Sequence, residues 1–223
     1  MTHGTLTALQ LRILKLLAGT ASPWVLTGGA ALGGFYTRHR ATRDLDLTPR
    51  DRERLGSLPD EAFERLVGIG LQVDREWLER DHQRLRVADG AEVIVVDFVG
   101  GWSKASEVPR EMLVDGVAIQ VESPHELLVR KLMALFDRSE PRDLVDVGAL
   151  LDAGGDLDRA VKDAGAQFSG LSARNLAATL RSLPIERLAP VVHWNAEETA
   201  TAMDLRGALV ARLVGRDGED DGL

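Results

Sequence analysis

A chain of 223 residues, 44% hydrophobic and 28% charged, has the make-up of a folded globular protein and can bury a substantial core in one large domain or two small ones. The absence of cysteine excludes disulfides, thiolate zinc sites and a cysteine nucleophile, and no run approaches the roughly 18 apolar residues of a membrane span. A formal net charge of −8 weighs against a generic nucleic-acid binder, whose footprint is basic. Charge is unevenly spread, however: Arg38, Arg40, Arg43, Arg50, Arg52 and Arg54 crowd one short segment with His39, and such a local surface can hold phosphates.

The N-terminus lacks the charged start and the cleavage site of a signal peptide, so a cytoplasmic protein with no membrane attachment is expected. Leu6 to Leu17 carries apolar residues at helical spacing. Trp24 to Leu26 reads as a short buried strand, followed by Gly28-Gly29 and a helix over Ala30–Tyr36. A strand, a glycine pair and a helix together present backbone N–H groups to an anion. A strand over Asp44–Thr48, closed by Pro49, and a helix over Pro59–Gly68 come next. Strand patterns then cover Leu71–Trp77, Arg84–Val87 and Val93–Val99, and a hairpin spans Met112–Val121 with Asp115-Gly116 as its turn. From Ser123-Pro124-His125-Glu126, an N-cap, a first-turn proline and a capping-box glutamate, the pattern turns helical to about residue 215. Breaks are expected at Gly154-Gly155, Ser169-Gly170 and Pro184. The predicted organisation is an α/β (α+β) core over residues 1–122, a helical domain over 123–215 and a disordered acidic tail over 216–223.

Three aspartates carry the chemistry. Residues i and i+2 of a strand share a face, so Asp44 and Asp46 project together while Leu45 and Leu47 face the core. Paired carboxylates suit Mg²⁺, which is held by one or two of them with substrate phosphates. They are equally readable as exposed acids neutralised by Arg38, Arg40 or Arg43. Asp97 sits in a strand that is apolar on both faces, where a lone carboxylate is costly unless paired or bound to metal. The other reading is a strand-end residue emerging into solvent before Gly100-Gly101. Three carboxylates on neighbouring strands would form a two-metal site for phosphoryl chemistry.

This constellation of Gly28-Gly29, a helix, Asp44-Leu45-Asp46 and a later Asp97 resembles the nucleotidyltransferase fold of the DNA polymerase β superfamily. The stretch "LTGGAALGGFYTRHRATRDLDL" closely resembles the AbiEii/AbiGii toxin family, to whose pattern Arg40, Thr42, Asp44 and Asp46 correspond. Gly29 stands where the wider superfamily has a serine.

The helical half adds a second signature. Lys131 lies within the apolar stripe of a helix, on the row from Leu127 to Leu135, and needs either room to reach water or an anionic partner. A nucleotide triphosphate is one such partner. Asp143 and Asp146 follow in the first turns of the next helix, where Asp143 also suits the helix dipole. The family resemblance implies that a lysine and an aspartate here, matched best by Lys131 and Asp143 with Asp146 as the alternative acid, serve nucleotide binding and catalysis.

What the resemblance implies is a polymerase β-like core with a mixed sheet, followed by a helical domain. The implied reaction moves a nucleoside monophosphate from an NTP to an acceptor hydroxyl, releasing pyrophosphate. Asp44, Asp46 and Asp97 would bind Mg²⁺ (or Mn²⁺), and Asp97 would also serve as base. Gly28, Gly29, Arg40, Thr42, Arg43, Lys131 and Asp146 would contact the nucleotide. The implied acceptor is the 3′ end of tRNA and the implied partner a cognate antitoxin. An antibiotic- or protein-modifying nucleotidyltransferase and a non-catalytic binding module are the alternatives. His39, His82, His125 and His193 have no metal-type spacing and read as surface or packing residues. Trp102 is placed to stack on a base or to pack.

Overall fold

Alternating strands and turn residues dominate the first half of the chain, helical stripes the second. The computed structural model describes residues 4–51, 54–101 and 105–215, and its contacts divide the chain into two units, Met1–Pro124 and His125–Leu223. The first opens with α1 (Ala8–Leu17), held by a capping box. Thr7 Oγ1 accepts from the Gln10 N–H at 3.2 Å and Gln10 Oε1 accepts from the Thr7 N–H at 2.9 Å. Then come β1 (Trp24–Thr27), α2 (Gly28–Ala31) running into a π-helical turn (Leu32–Tyr36), β2 (Asp44–Pro49) and α3 (Leu58–Gly68). β3 (Gln72–Leu78), β4 (His82–Asp89), β5 (Glu92–Val99), β6 (Arg110–Val114) and β7 (Val117–Val121) complete the unit.

Among the described residues these strands form one sheet in the order β3-β4-β5-β2-β1-β7-β6. The β2–β5 and β1–β7 pairs are parallel and the rest antiparallel, which makes the sheet mixed, as the resemblance implies. The hairpin turn forms at Asp115 and Gly116, both left-handed (φ 47° and 85°), the requirement of a tight two-residue turn. On one sheet face Leu45, Leu47, Leu85, Val96 and Phe98 are fully buried. Each such side chain contributes roughly 1.5–3 kcal/mol by leaving water.

Two boundaries differ from the sequence expectation in ways that affect the site. The second helix begins at Gly28 rather than Ala30, because Gly28 takes a left-handed backbone (φ 64°) that turns strand directly into helix. β4 begins at His82 rather than Arg84, because pairing of His82 with Val99 extends the strand beyond its apolar run.

The second unit is helical: α4 (Pro124–Arg138), α5 (Pro141–Asp152), α6 (Leu157–Gln167), α7 (Ala173–Ser182), α8 (Ile185–Leu188) and α9 (Ala196–Val214). α5, α7 and α8 pack on α9. Gly148 permits the close α5 crossing, since a Cβ there would stand 2.5 Å from Leu205 Cδ2. The expected breaks fall in loops. A further one precedes α9, where Asn195 and Glu198 form a capping box that sequence reading missed. No helix among the described residues is long and apolar enough to cross a membrane. Arg52, Trp102 and the expected tail over 216–223 lie outside the described residues.

Candidate active site

The site is built on a glycine bed. A Cβ on Gly28 would come within 2.7 Å of Asp46 Cγ and would overlap one carboxylate oxygen, so the missing side chain is the space that Asp46 fills. A Cβ on Gly29 would stand 3.2 Å from Arg40 Nη2 and 3.5 Å from Thr42 Oγ1. Gly33 does the same for the chain itself, because its Cβ would lie 2.6 Å from the Arg40 carbonyl oxygen. The helix start over residues 28–33 is therefore a small-residue surface on which segment 40–46 lies. Arg40, Thr42 and Asp46, matched from sequence, converge there with both glycines.

Thr42 also fixes the entry to β2. Its Oγ1 accepts from the Asp44 N–H at 3.2 Å, and its carbonyl accepts from Nε2 of the fully buried Gln10 at 3.0 Å. Arg43 is exposed, and its carbonyl accepts from the Val95 N–H at 3.1 Å, which starts the β2–β5 ladder. Arg38 takes a left-handed backbone (φ 53°), unusual for a residue with a side chain.

Sheet register then sets a cross-strand row. Thr27 of β1 pairs with Asp46 of β2, Asp46 with Asp97 of β5, and Asp97 with Arg84 of β4. Residues opposite one another share a face, so these four side chains form a line across the sheet with Asp44 two residues along β2. The expectation that Asp97 stands beside the Asp44–Asp46 pair is realised in this placement.

Asp97 is 5% exposed and is held from β4. Its Oδ1 accepts from Arg84 Nε and His82 Nε2, each at 2.8 Å, and its Oδ2 accepts from Arg84 Nη2 at 2.9 Å. Arg84 is made still more basic by its hydrogen bond to Asp97, against a partial cost of burial, and by the charges of Asp97, Asp44 and Glu76. Sequence reading missed Arg84 and took His82 for a surface or packing residue. The two-residue spacing of His82 and Arg84 was a visible signal, but only register reveals that it points at Asp97.

A second missed residue lies behind the row. Glu122, 1% exposed, accepts a hydrogen bond from Thr27 Oγ1, and its backbone carbonyl accepts one from Tyr36 Oη at 2.9 Å. Burial pushes the Tyr36 hydroxyl up to about 12, with nearby Arg110 opposing and Glu122 adding to the rise.

In the helical unit Lys131 has anionic partners. Its Nζ lies 3.0 Å from Asp143 Oδ1 and 2.8 Å from Asp146 Oδ2, both aspartates being fully buried. Arg138 completes the group with a fork onto Asp143 at 2.8 and 2.9 Å. Burial alone would raise the Asp143 carboxyl, but the Arg138 hydrogen bond and the charges of Lys131 and Arg138 outweigh it and hold it below the usual range. His125, too, is paired: its Nε2 lies 2.8 Å from Asp163 Oδ2.

The donor chemistry of Asp44 and Asp46, two carboxylates on one face, suits a hard divalent cation. Among the described residues no group of three or more acidic or histidine side chains is arranged to hold a metal ion, since both Asp97 oxygens are turned to Arg84 and His82.

The family model described as "Nucleotidyl transferase AbiEii toxin, Type IV TA system" matches residues 12–210. Among solved structures the chain is similar to JHP933 from Helicobacter pylori, at 19% identity and a TM-score of 0.51, over 94% of this chain and 92% of that one. It is also similar to an antigenic nucleotidyltransferase-like protein from Paracoccidioides brasiliensis, at 13% identity and a TM-score of 0.52, over 90% and 94% of the two chains. At those identities the likeness is one of fold. No curated protein matches. A family match over most of its length, on a chain that packs Gly28 against Asp46 and pairs Asp46 with Asp97, places this protein in the AbiEii family, the nucleotidyltransferase toxins of type IV toxin–antitoxin systems.

Proposed function

We propose that this toxin transfers a nucleoside monophosphate from an NTP to the 3′ hydroxyl of tRNA, with Asp44 and Asp46 holding a divalent cation. The observation that carries this reading is the convergence of Gly28, Gly29, Arg40, Thr42 and Asp46 on one small-residue surface, with Asp44 on the same strand face. Bound there, Mg²⁺ or Mn²⁺ would neutralise the triphosphate and polarise the α-phosphorus. Asp44 and Asp46 hold and orient the nucleotide through it. Gly28 and Gly29 keep the helix start bare, so that backbone rather than side chain faces the phosphates. Arg40, Thr42 and Arg43 supply a guanidinium, a hydroxyl and a second guanidinium to the same nucleotide. We assign Lys131, Asp143 and Asp146 to nucleotide binding as well, on the family resemblance and on a buried charge cluster of a kind commonly found at functional sites. In the reaction the acceptor oxygen bonds to the α-phosphorus, the bond to pyrophosphate breaks and the hydroxyl proton is lost to solvent.

Incubation with each labelled NTP, Mg²⁺ and total tRNA tests the proposal. Label is expected on tRNA and is expected to vanish in Asp46→Asn. Transfer to an aminoglycoside or a protein but not to tRNA would replace the acceptor. The absence of both transfer and NTP binding would leave a binding module.

A further inference from the structure

Asp97 has both of its carboxylate oxygens committed to side chains of β4. A carboxylate offers about four lone-pair sites. Three of them are taken by Arg84 Nε, Arg84 Nη2 and His82 Nε2 at 2.8–2.9 Å. The pairing is asymmetric in exposure, the Asp97 side chain being 7% accessible and that of Arg84 39%. The more exposed guanidinium thus occupies the hydrogen-bonding edge of the carboxylate. It is held there by more than side-chain contact, since Arg84 and Asp97 are direct register partners across β4 and β5. A planar guanidinium matches a carboxylate through two parallel hydrogen bonds and stays charged at any working pH. The charge of Asp44 adds to the raised basicity of Arg84.

We propose that Arg84 fills the place of a second divalent ion, so that the site takes one ion, on Asp44 and Asp46, while Asp97 acts as a positioning residue for Arg84. This inference rests on the nucleotidyl-transfer reading and sharpens it. Asp97, with its oxygens turned to β4, is neither a metal ligand nor the base. A guanidinium brings a single positive charge and up to five N–H donors, aimed at phosphate oxygens rather than coordinated to them.

The test is a count of bound Mn²⁺ per full-length chain, by electron paramagnetic resonance, with a non-hydrolysable NTP analogue present. One ion is expected in the wild-type chain and one in Asp97→Asn, with none in Asp46→Asn. Arg84→Met is expected to gain a second ion at the freed Asp97, whereas Arg84→Lys, which keeps the charge, stays at one. If Asp97 only positions Arg84, Asp97→Asn should lower kcat by about tenfold, one tenfold step per 1.4 kcal/mol, with the ion count unchanged. Two ions in the wild-type chain, one of them lost in Asp97→Asn, would overturn the inference. An ion count unaffected by Asp46→Asn would overturn the nucleotidyl-transfer reading beneath it instead.

Discussion

At Gly28 a single carbon atom decides whether the site can form. Its left-handed backbone costs a residue with a side chain about 1–2 kcal/mol, and the added Cβ would stand in the space of the Asp46 carboxylate. Gly28→Ala is therefore expected to lower stability by that amount in urea unfolding. Its loss of nucleotidyl transfer should be far larger than the stability change accounts for, because Asp46 must move. Gly29→Ala is the control. Its contacts of 3.2 and 3.5 Å are with side-chain atoms of Arg40 and Thr42, which can shift, and transfer should fall only a few-fold. The identity of these residues was legible from sequence, since a glycine pair and alternating aspartates are local patterns. Arg84, His82 and Glu122 were not, because each acquires its meaning from a strand 13 to 95 residues away.

Between α4 and α5 the governing feature is a group of buried charges. Removing one member of a buried pair costs about 3–5 kcal/mol, since the partner is left uncompensated. Lys131→Met should reach that range, and Lys131→Met with Asp146→Leu should recover much of it. If the recovered chain still fails to transfer nucleotide, the Lys131–Asp146 pair serves the reaction as well as the fold. Asp143 has a depressed pKa, so its contribution is fully present above the ordinary aspartate value of about 3.9 and is lost as pH falls through the lower, folded-state one. α3 carries a similar device at the surface. The Glu61 carboxylate accepts from Ser57 Oγ, Ser22 Oγ and the Ala21 and Ser22 N–H groups, which draw it down from 4.5 to about 2. Its stabilising effect is complete above pH 4.5 and fades as pH falls towards about 2. In Glu61→Gln the unfolding midpoint should be lower near neutrality and should depend less on pH through that window.

For the whole molecule, charge bears on how the proposed tRNA substrate would be held. A protein making 6–10 phosphate contacts loses roughly 10³–10⁵ in affinity between about 50 and 200 mM salt. A chain with a formal charge of −8, and with only six of its 27 Lys and Arg residues in the basic stretch 38–54, has few contacts to lose. The tRNA KM is therefore expected to rise only about tenfold over that range, and titration of transfer rate against KCl checks it. Architecture at this scale was largely readable: strand alternation, the Asp115-Gly116 turn and the shift to helical periodicity at Ser123 are all short-range signals. Strand order was not, because β2 lies between β1 and β5 by virtue of long-range pairing that no local pattern encodes.

The parallel pairing of β2 with β5 bears on when the protein becomes dangerous to its own cell. β2 ends at Pro49, yet its partner begins only at Glu92, so the ribosome must release nearly fifty further residues, through Asp97, before Asp46 can meet its register partner. A slip of one residue in that pairing would turn Asp44 and Asp46 into the core and bring Leu45 and Leu47 out. A chain released short of Asp97, or paired one residue out of register, therefore lacks the assembled carboxylate row.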